Sequence, residues 1–189
     1  MEVYDDVVDF LDQNYIKQIL FGINFPWFFV NDVTEVNGFQ KRPAFCHNFM
    51  HEGKVNSPHF NLVEMLVNLA ERASKRKFEQ VLHSRSFCQL PLSQEIIGDE
   101  LIDQFHIDRE EPHTAILYYV NDYDGETIIS DTCFDYTGSN VIDTKTHKFN
   151  VVKKVKAMQG RLLVFDGKYY HTANQPRLNH KCIININVI

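Results

Sequence analysis

From about Phe78 onward the chain is built of short β-type runs, and this patterning restricts the fold more than anything else in its 189 residues. Val81, His83, Arg85 and Phe87 alternate with Leu82, Ser84, Ser86 and Cys88. Successive side chains of a strand point to opposite faces, so such alternation suits a half-buried strand. Further β-branched or aromatic runs follow at 114–120, 127–130, 149–155, 161–165 and 182–189, with turn signals between them. Asp124-Gly125 and Asp166-Gly167 are dipeptides that commonly close hairpins. Strands do not alternate with helical patterns here, which removes support for a parallel sheet. The expectation is an antiparallel barrel or jelly roll over 78–189.

The residues before it read differently. Val7, Leu11, Tyr15 and Ile19 fall on one face of a helix, with Asp5 and Asp6 at its start and Gly22 at its end. A second helix is marked by Ser57 as cap and Pro58 in the first turn. Its apolar stripe is Leu62, Met65, Leu66, Leu69 and Ala73, and Lys75-Arg76-Lys77 closes it, where cations suit the helix dipole. The chain therefore reads as one domain, 1–189: a mostly helical buttress at 1–77 and a β-barrel core at 78–189. A chain of this size buries roughly 70% of its unfolded surface.

Charge narrows the choice of partners. A net charge of −6, with Lys75-Arg76-Lys77 as the only basic cluster, argues against nucleic acid. No run of 18 apolar residues is present to span a membrane, and the acidic start MEVYDDVVDF does not resemble a signal peptide. Cys46, Cys88, Cys133 and Cys182 are scattered, with no CxxC pair, as expected of reduced thiols in a cytoplasmic protein.

The chemistry is concentrated in Phe105-His106-Ile107-Asp108, just before the first long strand of the barrel. Residues i and i+2 of an extended chain point the same way, so His106 and Asp108 suit one ion. His171 follows the Asp166-Gly167 turn on a strand placed to return beside them. Two His and one carboxylate leave open positions on the metal, as non-haem Fe(II) oxygenases require. A structural zinc site would close all four positions, usually with Cys.

The order of these elements resembles the prolyl hydroxylase-like branch of the Fe(II)/2-oxoglutarate dioxygenases. The stretches that carry the resemblance are FHID (105–108), ILYYVNDYDGET (116–127), GRLLVFDGKYYH (160–171) and KCIININV (181–188), within nearly half the chain. The resemblance implies a double-stranded β-helix, the jelly-roll, cupin-like barrel. It also implies a hydroxylase that couples decarboxylation of 2-oxoglutarate by Fe(II) and O2 to oxidation of a substrate C–H bond. A buried distal carboxylate of 2-oxoglutarate needs a cation. Lys181, ten residues beyond His171, is the preferred one; much of this branch has Arg there, while collagen-type prolyl hydroxylases have Lys. Arg177 is the competing cation, better suited to a bidentate grip but placed on a loop. The resemblance selects Tyr119 over Tyr118 as the second contact, and Asn185 shares a strand face with Lys181.

Other signals are weaker. His47 and His51 are spaced i, i+4 without an HExxH motif, and Asn121 to Gly125 lacks the spacing and terminal Glu of a calcium loop. A cupin-type metalloenzyme would carry an HxH pair, which is absent, and a silent jelly-roll binding protein would lose a ligand, whereas all three are present. The substrate is expected to be a protein, peptide or small molecule, with a peptidyl proline suggested by the branch. The loops that would decide it, Pro91 to Gln104 and Thr132 to Lys148, carry no readable code.

Overall fold

A computed structural model describes residues 1–33, 42–93, 102–135, 138–142 and 147–189. Thirteen strands and two helices follow one another along the described residues. The first part holds β1 (Glu2–Tyr4), α1 (Phe10–Leu20), β2 (Phe28–Val30), β3 (Ala44–His51), β4 (Lys54–Val55) and α2 (Phe60–Ser74). Then come β5 (Val81–Gln89), β6 (Phe105–His106), β7 (Thr114–Tyr119), β8 (Glu126–Cys133) and β9 (Val141–Ile142). The last four are β10 (Val151–Lys156), β11 (Leu162–Asp166), β12 (Tyr169–Ala173) and β13 (Lys181–Val188). All pairings are antiparallel, and the strands form two sheets. The larger runs β1-β11-β7-β13-β5-β3-β2, with β4 beside β3, and the smaller runs β10-β8-β12-β6-β9.

Alternation along the strands builds two separate apolar layers. Ile116, Tyr118, Leu162, Val164, Cys182, Ile184 and Ile186 point from the large sheet toward α1 and α2. Ala115, Leu117, Tyr119, Leu163 and Phe165 point the other way and meet Ile129 and Val155 of the small sheet. The barrel interior thus lies between the sheets, and the helices cover the outer face of the large one. A third cluster, with Phe105, Ile107, Ile128, Phe134 and Tyr170, covers the outer face of the small sheet.

Several sequence expectations need correcting. The first 77 residues are not mostly helical: they hold two helices and four strands, and β3 pairs with β5 to extend the large sheet. The apolar runs there are too short to have separated strand from loop by periodicity. Helix α1 buries Ile16 and Leu20, while Leu11 is 77% and Tyr15 47% exposed. Its cap is Asp9, which accepts from the Asp12 N–H, so the helix starts later than Asp5 and Asp6 suggested. Helix α2 buries Leu62, Val63, Leu66 and Ala70, with Met65 and Leu69 half-buried beside them. Ser57 does not cap it; the hydroxyl meets His47 Nε2 at 2.8 Å and accepts from the His59 N–H.

Neither Asp-Gly dipeptide closes a hairpin. Asp124-Gly125 carries the chain from β7 in the large sheet to β8 in the small one. Asp166-Gly167 carries it from β11 to β12 in the same direction. A Cβ at Gly167 would collide with the His113 imidazole, so glycine leaves room for that ring. Asp124 accepts backbone N–H bonds from Arg177, Leu178 and Asn179, pinning the loop before β13.

The revised face of α1 is directly testable. Ile16→Ala should destabilise the fold by about 2–5 kcal/mol, the range for truncating a fully buried aliphatic side chain. Leu11→Ala should change stability by no more than about 0.5 kcal/mol, as at an exposed site. Urea denaturation of the two variants reads both; equal losses would restore the face read from the sequence.

Candidate metal centre and adjoining cavity

The centre starts from a register. On β12, His171 stands opposite His106 of β6 on one side and Ile129 of β8 on the other. Directly opposed residues of an antiparallel pair share a face, and the two imidazole centroids lie 4.6 Å apart. Asp108 follows His106 by two residues. One ligand atom from each of His106, Asp108 and His171 lies within 4.8 Å of the others. Among the described residues this is the one group of three or more His, Cys, Asp or Glu able to hold a metal ion. None of the four cysteines belongs to it, and all are free thiols.

Hydrogen bonding leaves the correct atoms open. His106 Nδ1 donates to the Gln104 carbonyl and His171 Nδ1 to the Tyr169 carbonyl, each at 3.2 Å. Holding the proton on Nδ1 presents the Nε2 lone pair, the arrangement expected of metal-binding histidines. Burial, aided by His106, pushes the His171 pKa down to about 4, against the pull of Asp108 and the Tyr169 carbonyl. His171 is therefore neutral at pH 7, as a ligand must be.

Asp108 is enclosed, its side chain 1% exposed. Asn185 and Asn187 both donate from Nδ2 to its Oδ2, at 3.0 and 3.2 Å. They are i and i+2 on β13, so one strand face supplies both donors. Oδ1 is buried without a hydrogen bond, 3.6 Å from the Arg85 guanidinium. Burial raises the Asp108 pKa, but His171, Arg85, His106 and the Asn185 bond outweigh it and hold the carboxyl well below its usual range. A bare, buried carboxylate oxygen beside two imidazoles is a site that a divalent cation completes.

The centre opens on a cavity of about 290 Å³, at the small end of the usual range for ligand sites. Lys181 lines it and is 6% exposed. Among the described residues its ammonium has no ion pair or hydrogen bond; it sits 6.0 Å over the Tyr123 ring. Burial lowers its pKa, with Asp103 opposing. Arg177 lies elsewhere, exposed at the surface, and does not line this cavity. Tyr119 faces the barrel interior and Tyr118 the helices, as the alternation required. Tyr119 does not itself line the cavity; its hydroxyl donates at 2.7 Å to Thr127, which does. Asn185 lines the cavity, with one amide N–H donated to Asp108.

Sequence reasoning missed Asn187, Arg85, Thr127 and Asp103. Alternation could have found Asn187, which follows Asn185 by two, whereas Arg85 reaches the site through its register with Asn185, which no local pattern shows. Asp103 had no such signal: it forms a buried ion pair with Arg42 at 2.8 Å, across 61 residues. Of the loops between Pro91 and Gln104 and between Thr132 and Lys148, residues 94–101, 136–137 and 143–146 lie outside the described residues. His47 is structural, held between Ser57 and the Pro26 carbonyl. The Asp124 carboxylate is saturated by amides rather than arranged for calcium.

No family model matches the chain, and no curated protein matches it in sequence. Solved structures do match. An oxidoreductase of the 2OG-Fe(II) oxygenase family from Burkholderia pseudomallei superposes with a TM-score of 0.66 at 11% identity, over 98% of this chain and 83% of that one. A prolyl hydroxylase from Trichoplax adhaerens, in complex with a hypoxia inducible factor peptide fragment, gives 0.60 at 14% identity, over 100% and 82%. The epimerase SnoN, in complex with Fe3+, alpha ketoglutarate and nogalamycin RO, gives 0.65 at 9% identity, over 99% and 77%. Two antiparallel sheets facing each other, with helices on the outside of the larger, are thus the double-stranded β-helix fold of the 2OG-Fe(II) oxygenases.

Proposed function

We propose that the protein is an Fe(II)- and 2-oxoglutarate-dependent dioxygenase that hydroxylates a C–H bond, with a peptidyl proline as the leading substrate. The observation that carries the reading is a His106, Asp108 and His171 triad sharing one cavity with a buried, unpaired lysine. The triad fits the metal because both Nε2 atoms and one carboxylate oxygen are free. The lysine fits the co-substrate because a buried ammonium without a counter-ion needs an anion. Two of the structural neighbours hold a peptide and a small molecule respectively, which keeps both substrate classes open.

When bound, Fe(II) with 2-oxoglutarate and O2 supplies the oxidising power: the keto acid leaves as succinate and CO2, and oxygen enters the C–H bond. The chain's own residues position and protect. His106, Asp108 and His171 hold the metal, and Asn185 with Asn187 fixes the rotation of the Asp108 carboxylate. Lys181 grips the distal carboxylate, with Tyr119 acting through Thr127 at the cavity wall. Leu117, Ile183 and Phe87 supply apolar lining that limits water.

His106→Ala and His171→Ala should each remove iron from the purified protein. Each takes away one of three ligands, so the affinity loss should exceed the roughly 10–100-fold that a lost supporting partner costs. Metal analysis showing wild-type iron in both variants would refute the site. Asn185→Ala should fall within that roughly 10–100-fold range, since it frees the carboxylate without deleting a ligand. Competition with a metal chelator measures it, and unchanged affinity would deny the clamp. Lys181→Ala should raise the apparent 2-oxoglutarate constant by at least about two orders of magnitude, from about 3–5 kcal/mol for breaking a buried pair. Arg177→Ala should leave it almost unchanged, and iron binding should survive both changes. Succinate formation against 2-oxoglutarate concentration decides between the two cations.

A further inference from the structure

Two cations serve this cavity, and the co-substrate reading uses one of them. Lys181 pairs with Gln89, and Arg85 pairs with Asn185, four residues along the same two strands. At about 3.3 Å per residue this separates the two backbones by roughly 13 Å. Lys181 is buried at one end; the Arg85 side chain is 33% exposed at the other, beside Asp108.

Arg85 is not satisfied where it stands. Its Nε is buried without a hydrogen-bond partner, and its guanidinium lies over the Phe87 ring at 4.7 Å. The contact to Asp108 Oδ1, at 3.6 Å, is longer than a hydrogen bond. Asn185 and Asn187 already supply the hydrogen bonds of that carboxylate. A divalent ion on Oδ1 would take the charge that Arg85 now faces and would itself repel the guanidinium. Nearby groups add positive potential rather than relieve it. Arg109 stands in the same field, with its own Nε unpartnered and its guanidinium on the exposed Glu111 at 3.2 Å. Burial, then Arg85, His51 and Arg109, push the His83 pKa down to about 4, so that ring is neutral and its buried Nε2 unpaired.

We infer that Arg85 recognises an oxygen anion on the substrate, a carboxylate or a phosphate, held at the metal end of the cavity. The inference rests on the oxygenase reading, because it assigns the other cation to 2-oxoglutarate. A planar guanidinium with its Nε free offers an acidic group two parallel hydrogen bonds, which an ammonium does not. The substrate's reacting carbon then lies within reach of the metal while its anionic group is anchored on β5. Arg85 is a specificity residue here: a neutral analogue would leave its charge facing the ion.

The test uses the full chain saturated with Zn(II), a redox-silent stand-in for iron, and followed by NMR. Addition of 2-oxoglutarate should shift the Lys181 signals, and its failure to bind would sink the oxygenase reading together with this inference. Sodium acetate and inorganic phosphate are then titrated in separate arms, with acetamide as the neutral control. The expected result is a saturable shift of the Arg85 Nε–H with at least one anion and none with acetamide. The arm that responds identifies the chemistry. Arg85→Gln should weaken the anion by about tenfold or more, as for a lost charge-assisted bond. Arg85→Lys should restore part of it, and Lys181→Gln should leave it intact while weakening 2-oxoglutarate by at least about two orders of magnitude. If 2-oxoglutarate binds but neither anion reaches Arg85, or if Arg85→Gln binds anion as well as wild type, the inference is wrong and the oxygenase reading stands. Unchanged amide dispersion in each variant excludes unfolding as the cause.

Discussion

Everything at the centre depends on the antiparallel pairing that sets His171 against His106. A strand register is a two-valued choice for each side chain: a slip of one residue sends it to the other face. One step in β12 would turn His171 toward the outer cluster of Phe105, Ile128 and Tyr170 and leave two ligands without a third. The register is held from both sides, since β12 pairs with β8 as well as with β6. It is also held by burial, because Tyr170 packs outward and Phe165 packs against the His171 ring at 5.0 Å.

Strand β13 shows how one segment serves stability and chemistry together. Cys182, Ile184, Ile186 and Val188 anchor it in the core under the helices. Lys181, Ile183 and Asn185 line the cavity, and Asn187 reaches the ligand carboxylate. The apolar face fixes the strand's rotation, and the polar face inherits that precision. Hydrophobic packing thereby pre-positions donors within hydrogen-bond range of Asp108 without any separate scaffold.

The cavity's electrostatics follow from the same economy of partners. Buried charges are tolerable when paired, as Arg42 and Asp103 are within the protein. Asp108, Lys181 and Arg85 are different. Each is enclosed or half-enclosed, and each keeps an atom or a charge that the described residues leave incompletely satisfied. A carboxylate oxygen, an ammonium and a guanidinium incompletely satisfied around one space are the feature on which the proposed metal, co-substrate and substrate roles rest.

Local physics was enough for part of this protein. Alternation from Val81 to Phe87 and the β-branched run at 182–189 identified strands, since neither signal needs a partner to be read. The same rule put His106 and Asp108 on one side, and Tyr119 and Tyr118 on opposite sides. Tertiary structure decided the rest. An Asp-Gly pair encodes a sharp turn but not the sheet that the next strand joins, so both such turns proved to be crossings between sheets. Helix α1 had apolar residues around much of its surface, and only packing on the large sheet chose Ile16 and Leu20 over Leu11 and Tyr15. Before Phe78, β1 and β3 became legible only through their pairing with β11 and β5, and β2 and β4 through β3. His171, Lys181 and Arg85 were each visible as residue types. That they share one cavity is set by hydrogen-bonded registers between strands distant in sequence, and no local pattern encodes such a register.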